Sequence, residues 1–382
     1  MAIGNNPCMT SSQRALRIYA GPKALTHLQQ HGLSPEAVRV IPAAAGGPKG
    51  LILGPLDRFI FGHWLAQSQH TVDLVGASIG AWRMATACLE RPEQAFERLE
   101  RDYIAQRFDP PAGQKRTPAW LVSERFAQSL QDFYGGRVGE VLNNPRYRLH
   151  VVTSRGQKLL ARESRWRTPV GYLGAFAANA LHRPALGRWL ERVVFSSGKG
   201  SVLPALPFGS GGLRTRQVRL DEANFMDALR ASCSIPFVLQ AVHDIAGAPR
   251  GAYWDGGITD YHMHLDYAAS RSAAQEGGEH SGIVLYPHFQ KAVVPGWLDK
   301  GLRWRHKASH FLDAMIVLAP DPAWVAQLPR GKLPDRHDFV DYGSDHDARA
   351  TAWNAATAAS RQLADEFAQW LERPDLSRVE AL

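Results

Sequence analysis

The sequence predicts an α/β protein with a mainly parallel central sheet. Two stretches near the start carry that prediction, and two later runs extend it. Val38-Arg39-Val40-Ile41-Pro42-Ala43 reads as a buried strand that runs into Gly46-Gly47-Pro48-Lys49-Gly50. Leu51–Leu65 follows, with Leu53, Leu56, Phe59, Ile60 and Trp64 at helical spacing. Val72-Asp73-Leu74-Val75 then repeats the order: a strand, the turn Gly76-Ala77-Ser78-Ile79-Gly80, and an Ala-rich helical run from Ala81 to Leu89. Ile283–Tyr286 and Met315–Ala319 are further short apolar strands. Strands alternating with helices argue for parallel pairing.

Composition bounds the class. The chain has 382 residues, enough for one large domain or two ordinary ones, and with 45% of them hydrophobic and 21% charged it reads as a soluble globular protein. Met1–Arg17 has no basic stretch followed by an apolar one, so no secretory signal is expected. No apolar run reaches the length of a membrane span. Cys8, Cys88 and Cys233 are odd in number and widely spaced. Cys88 and Cys233 sit in apolar surroundings and read as buried thiols, which fits a reducing cytoplasm.

The remaining elements follow in order. Leu25–Gly32 reads as a short helix. The core is expected at 36–97 and 220–325, with 98–219 inserted as a mostly helical lid. One strand inside that insertion, Tyr147–Ser154, is expected to join the central sheet. Asn224–Cys233 reads as a helix, and Gly251-Ala252-Tyr253-Trp254 as a strand end leading into Asp255-Gly256-Gly257. Ala268–Ser281 is small and polar and reads as a loop. Ser344 is the expected N-cap of a final helix over 344–373, ending before Pro374.

Charge is unevenly spread. Between Arg98 and Arg219 stand 21 Lys+Arg against 8 Asp+Glu, a net +13, in a chain whose total is +8, which leaves −5 elsewhere. The same segment carries Trp120, Phe126, Phe133, Tyr134, Trp166, Trp189 and Phe195. Arginines mixed with aromatics suit peripheral contact with an anionic membrane. They suit equally a solvated helical insertion whose aromatics are ordinary core. A nucleic-acid partner is not expected.

Three features carry chemistry. Ser78 stands at the apex of a strand–turn–helix, where flanking Gly76 and Gly80 allow a strained elbow and close helix approach. Gly46 and Gly47 follow a strand and precede a helix, so their peptide N–H groups can face an oxyanion; Pro48 has none to offer. Asp255 ends a strand, and Gly256 and Gly257 let the chain turn there. Open parallel sheets bring such loops together at the carboxyl ends of their strands. Each feature also has a plain reading, as a glycine turn or a serine helix cap.

As a set, these residues resemble the patatin-like phospholipase family. The family has a Gly-rich oxyanion loop, a G-x-S-x-G serine and a distant Asp-Gly-Gly. Ala231-Ser232-Cys233-Ser234-Ile235-Pro236-Phe237 is similar to its segment of small residues followed by Pro and an aromatic. The resemblance covers roughly residues 38–97 and 220–260. It implies a three-layer α/β/α sandwich, related to cytosolic phospholipase A2, and a Ser–Asp dyad without histidine. Ser78 is then the nucleophile, Asp255 the base, and Gly46, Gly47, Lys49 and Gly50 line the oxyanion and substrate site. Ala45 stands where the family's first glycine would be, and Thr259-Asp260-Tyr261-His262 follows where Asn and Pro are usual. The implied activity is hydrolysis of fatty-acyl esters of phospholipids or lysophospholipids through an acyl-serine, with no cofactor and no metal.

Other readings are open on the sequence. The same dyad serves a small-ester hydrolase or a thioesterase, and a hydrolase scaffold can persist as a basic lipid-binding protein. A conventional triad would draw on His288, His306 or His310. Asp260, His262, His264 and Asp266 alternate, and on a strand would share one face as metal ligands. Ser197-Gly198-Lys199-Gly200-Ser201 is similar to a phosphate loop but lacks the Ser or Thr after Lys199.

Overall fold

Apolar runs that can be buried on both faces form the middle of the sheet. The computed structural model describes residues 14–114, 116–200, 202–269 and 282–382. Its strands are β1 (Leu16–Ala20), β2 (Val38–Ala43), β3 (Val72–Gly76), β4 (Tyr147–Gly156), β5 (Leu190–Ser196), β6 (Thr215–Arg219), β7 (Val242–His243), β8 (Ala252–Asp255), β9 (Ile283–Pro287), β10 (Met315–Pro320) and β11 (Val379–Ala381). Nine of them lie in the order β11-β1-β10-β9-β2-β3-β4-β5-β6, while β7 pairs with β8 and β8 with β4. The five central strands, β10, β9, β2, β3 and β4, are mutually parallel. Antiparallel strands β1 and β5 flank them. Helices cover both faces, giving the expected three-layer sandwich.

The insertion gives more to the sheet than one strand. Besides β4, residues 98–219 supply β5 and β6, which extend one edge. The charges of β5 hide its burial: Glu191 and Arg192 are both buried. Glu191 pairs with Arg155 at 2.7 Å, and Arg192 makes two bonds to Asp260 at 2.5 and 2.7 Å. Leu51–Leu65 is not one α-helix. It divides into a 3₁₀ segment Gly47–Leu53, an α turn Gly54–Asp57 and wide π-type turns over Arg58–Trp64. The final helix is two, His346–Ala359 and Arg361–Glu372, parted at Ser360. Asp345, rather than Ser344, caps the first by accepting from Ala348 N–H. The expected loop 268–281 lies, from 270 on, outside the described residues, as do Cys8 and Ser201.

β8 has the placement that matters for function. It pairs antiparallel with β4 at Thr153–Arg155, on the flank where β3 pairs with β4 at Tyr147–Val151. β3 and β8 therefore run toward each other along one edge of β4. Their carboxyl ends, Gly76 and Asp255, stop opposite Val151 and Thr153. The turn that carries Ser78 starts from the first of these ends.

Candidate active site

Ser78 is a strained residue. Its φ is +56° and its ψ −131°, a conformation that a non-glycine residue adopts only when its surroundings impose it. Close packing imposes it here. A Cβ on Gly80 would lie 2.1 Å from the carbonyl oxygen of Ala43, and one on Gly76 would lie 2.6 Å from Ala81 N. Only glycines let the helix Ile79–Ala87 sit this near the ends of β2 and β3. That helix is buried along its whole length. Its one charge, Arg83, is held by Asp57 through two bonds of 2.7 Å. Ser78 N–H donates to Ser232 Oγ at 2.9 Å, and Ser232 Oγ donates to Val152 O at 2.7 Å. The Ser232 hydroxyl thus ties the elbow to β4.

Gly46 and Gly47 lie beside this elbow, because Ala43 and Gly76 are register partners at the ends of β2 and β3. Gly47 has φ +59° and opens the 3₁₀ segment, so its N–H lies outside that segment's own hydrogen bonds. A Cβ on Gly46 would come 2.7 Å from the Phe289 ring, and one on Gly50 3.2 Å from Ile79 Cγ1. Lys49 Nζ sits 5.3 Å from the centre of the Phe289 ring. Ala45 N–H donates to Tyr261 O at 2.9 Å, which pins the loop to the chain that follows Asp255.

Asp255 is buried at the tip of β8. Its Oδ1 accepts from Gly257 N–H at 2.7 Å, while Oδ2 is buried without a hydrogen-bond partner. Gly256 and Gly257 turn where a side chain has no room: a Cβ would lie 2.0 Å from Val152 O at the first and 2.6 Å from Ala45 Cβ at the second. Ser78 and Asp255, 177 positions apart in sequence, thus meet at one place. The Ser78 hydroxyl is near enough to influence the Asp255 carboxyl, but no hydrogen bond of ordinary geometry joins them. Such bonds are often long before substrate arrives.

A family model for patatin-like phospholipases matches residues 60–262, more than half of the chain. The chain belongs to the patatin-like phospholipase family. Among solved structures, that of human GIVD cytosolic phospholipase A2 is similar to it, with a TM-score of 0.40 and 12% identity. The match covers 94% of this chain and 63% of that one, so the chain spans less than two thirds of that protein's length. No curated protein matches it in sequence.

The electrostatics of this patatin-like chain involve residues that carry no sequence signal. Burial pushes the Asp255 carboxyl above its usual range. Arg336 pulls it back most strongly, followed by the Gly257 N–H, the Ser78 hydroxyl and Lys300. Arg336 Nε lies 3.2 Å from where a Cβ on Gly47 would stand, so it borders the glycine loop. Lys300 Nζ sits 4.1 Å from the centre of the Tyr261 ring. Its pKa is pushed down to about 8 by burial and by the neighbouring charges of Arg336 and Lys49. Lys49 is lowered as well, by burial first. Arg336 and Lys300 therefore act on the Asp255 carboxylate, and Lys49 lies near enough to both cations to feel or exert their repulsion. The Cys233 thiol, also influenced by Ser78, is held well above its usual range by burial and is a thiol rather than a nucleophilic thiolate.

The other sequence candidates are occupied elsewhere. No histidine among the described residues hydrogen-bonds to the side chain of Ser78 or Asp255. His288 is buried with Nε2 3.2 Å from His262 Nδ1, and burial lowers its pKa to about 3. His306 meets Asp299 O at 2.9 Å, and the His310 ring packs on Phe311. Asp260 closes the short helix Gly257–Asp260 and is engaged by Arg192, so 260, 262, 264 and 266 do not share a strand face. Lys199 and Gly200 follow β5 without opening a helix.

Proposed function

We propose that the protein is a serine acyl hydrolase that cleaves fatty-acyl esters of phospholipids or lysophospholipids, with Ser78 as nucleophile and Asp255 as its base. The observation that carries this reading is the head-on approach of β3 and β8. It brings a strained serine against a buried carboxylate with one oxygen free.

The steps follow from the groups present. Ser78 Oγ attacks the acyl carbonyl carbon and its proton passes to Asp255 Oδ2. The carbonyl oxygen becomes an oxyanion, held by the N–H groups of Gly46 and Gly47 and by the amino end of the helix Ile79–Ala87. The tetrahedral species collapses, the ester C–O bond breaks, and the leaving alcohol takes the proton from Asp255. Water, deprotonated by the same carboxylate, then releases the fatty acid and restores Ser78. Burial makes Asp255 a stronger base than a free aspartate, while Arg336 and Lys300 favour its ionised form. Lys49, Lys300 and Arg336 favour a substrate with an anionic head over a neutral small ester.

Incubating the full chain with a panel of diacyl and lyso phospholipids, and with soluble esters and thioesters, tests the reading. Free fatty acid from the phospholipids, absent with Ser78→Ala, is the expected result. Turnover of the soluble esters alone, or fatty-acid release that survives Ser78→Ala, would contradict it.

A further inference from the structure

The helix Arg167–Leu181 is apolar on two opposite sides, and one of them is uncovered. Thr168 to Leu181 is a run of 14 residues without a charge. Its inner side, with Tyr172 and Ala175, packs in a cluster with Leu160, Leu186, Leu190 and Trp254. Its outer side presents Trp166, Val170, Leu173 and Leu181, which are 79%, 56%, 70% and 88% exposed. With Ala177 they recur at spacings of three and four, a single stripe along the helix. Phe237, 62% exposed, lies beside the inner-facing Tyr172 rather than on this stripe. The φ of Phe237 is +68°, an unusual conformation for an aromatic residue, and its ring centre is 6.0 Å from that of Tyr172.

We propose that this outer face docks the protein on an anionic lipid bilayer. A monomer in water rarely leaves an apolar surface of this extent open. The charges around it select the occupant. Arg162, Arg165, Arg167 and Arg188 are exposed and have no carboxylate partner among the described residues. The one acid between Lys158 and Arg188 is Glu163, whose carboxylate accepts from Ala241 N–H. Aliphatic and Trp side chains rimmed by free arginines match the boundary between acyl chains and anionic headgroups. A second copy of the same face would bring arginines against arginines. The inner side of the helix faces the candidate site: Tyr172 lies 6.0 Å, ring to ring, from Trp254, the residue before Asp255. Docking on the outer face would therefore leave this one helix between the lipid surface and the candidate site.

Sedimentation of the full chain with vesicles tests the proposal. Two vesicle compositions serve: phosphatidylcholine alone, and phosphatidylcholine with phosphatidylglycerol in equal parts. The wild type is expected to bind the mixed vesicles and to bind the neutral ones far more weakly. Leu173→Asp with Leu181→Asp is expected to lower partitioning about tenfold or more on both. Arg162→Glu with Arg165→Glu is expected to lower it about fivefold or more per residue on the mixed vesicles only. All four side chains point outward, so the thermal midpoints should match the wild type. If the leucine pair proves unstable, the arginine pair still decides the outcome. Failure of the wild type to bind mixed vesicles, or binding unchanged in the variants, overturns the proposal. Either result does so whether light scattering then shows the face covering a second copy or the face proves to take an acidic protein.

Discussion

Gly76 and Asp255 end two strands that abut on one flank of β4, Gly76 opposite Val151 and Asp255 opposite Thr153. Two residues of β4 span about 7 Å, which leaves room for one side-chain contact between the strand ends and no more. The site is therefore sensitive to small backbone displacements. Gly256→Ala would place a Cβ 2.0 Å from Val152 O and force the tip of β8 to move. We expect this variant to lose about 1–3 kcal/mol of stability and about a hundredfold in kcat/KM. Thermal unfolding and steady-state hydrolysis would check both, and wild-type activity in Gly256→Ala would contradict the geometry.

Ser232 is expected to matter without touching substrate. Its hydroxyl accepts from Ser78 N–H and donates to Val152 O, and all three residues are buried. Ser232→Ala leaves an N–H and a carbonyl without partners, at a cost of about 1–3 kcal/mol. The elbow should loosen, so kcat should fall while KM changes little. An unchanged midpoint and unchanged kcat would show that the tie to β4 carries no weight.

Activity should depend on pH in a way that Arg336 sets. The base must be ionised, and burial raises the Asp255 pKa above the usual carboxylate value. Activity is therefore lost as pH falls through that raised value and recovers above it. Arg336 is the largest influence acting against burial. Removing it favours the protonated form, so Arg336→Gln should move the acid limb of the kcat/KM profile to higher pH. A limb that stays in place, or moves to lower pH, would contradict this assignment.

Lys300 should give a second pH dependence, limited to anionic substrates. Its pKa is pushed down to about 8, so its charge is present below that pH and lost above it. KM for a lipid with an anionic head should rise about fivefold as pH passes through 8, while KM for a neutral ester should not. Lys300→Gln should remove the difference between the two substrates. Parallel profiles in the wild type would argue against a role in binding the head.

What could be read from the sequence, and what could not, has physical reasons. β2, β3, β9 and β10 were legible because strands buried on both faces need apolar runs. Ser78, Asp255 and the glycines around them were legible because their close contacts exclude any Cβ, which leaves a local pattern. β5 was missed because Glu191 and Arg192 interrupt its apolar run, and their neutralisation comes from partners distant in sequence. β1 was missed for a similar reason: Arg17, its second residue, pairs with Asp321 at 2.5 Å and Glu380 at 2.6 Å. Arg336 and Lys300 have no motif because their place near Asp255 is set by tertiary packing alone. The regular spacing of Leu51–Leu65 marked a buried face correctly but could not show that its turns change width along the segment.

The most direct test is labelling of the full chain with a serine-reactive fluorophosphonate, followed by mapping of the adduct by mass spectrometry. The account predicts an adduct on Ser78 of the wild type, with labelling in Asp255→Asn slowed about a hundredfold or more and no loss of folded structure. Labelling of Ser78 at the wild-type rate in Asp255→Asn, or an adduct formed only at another residue, would contradict it.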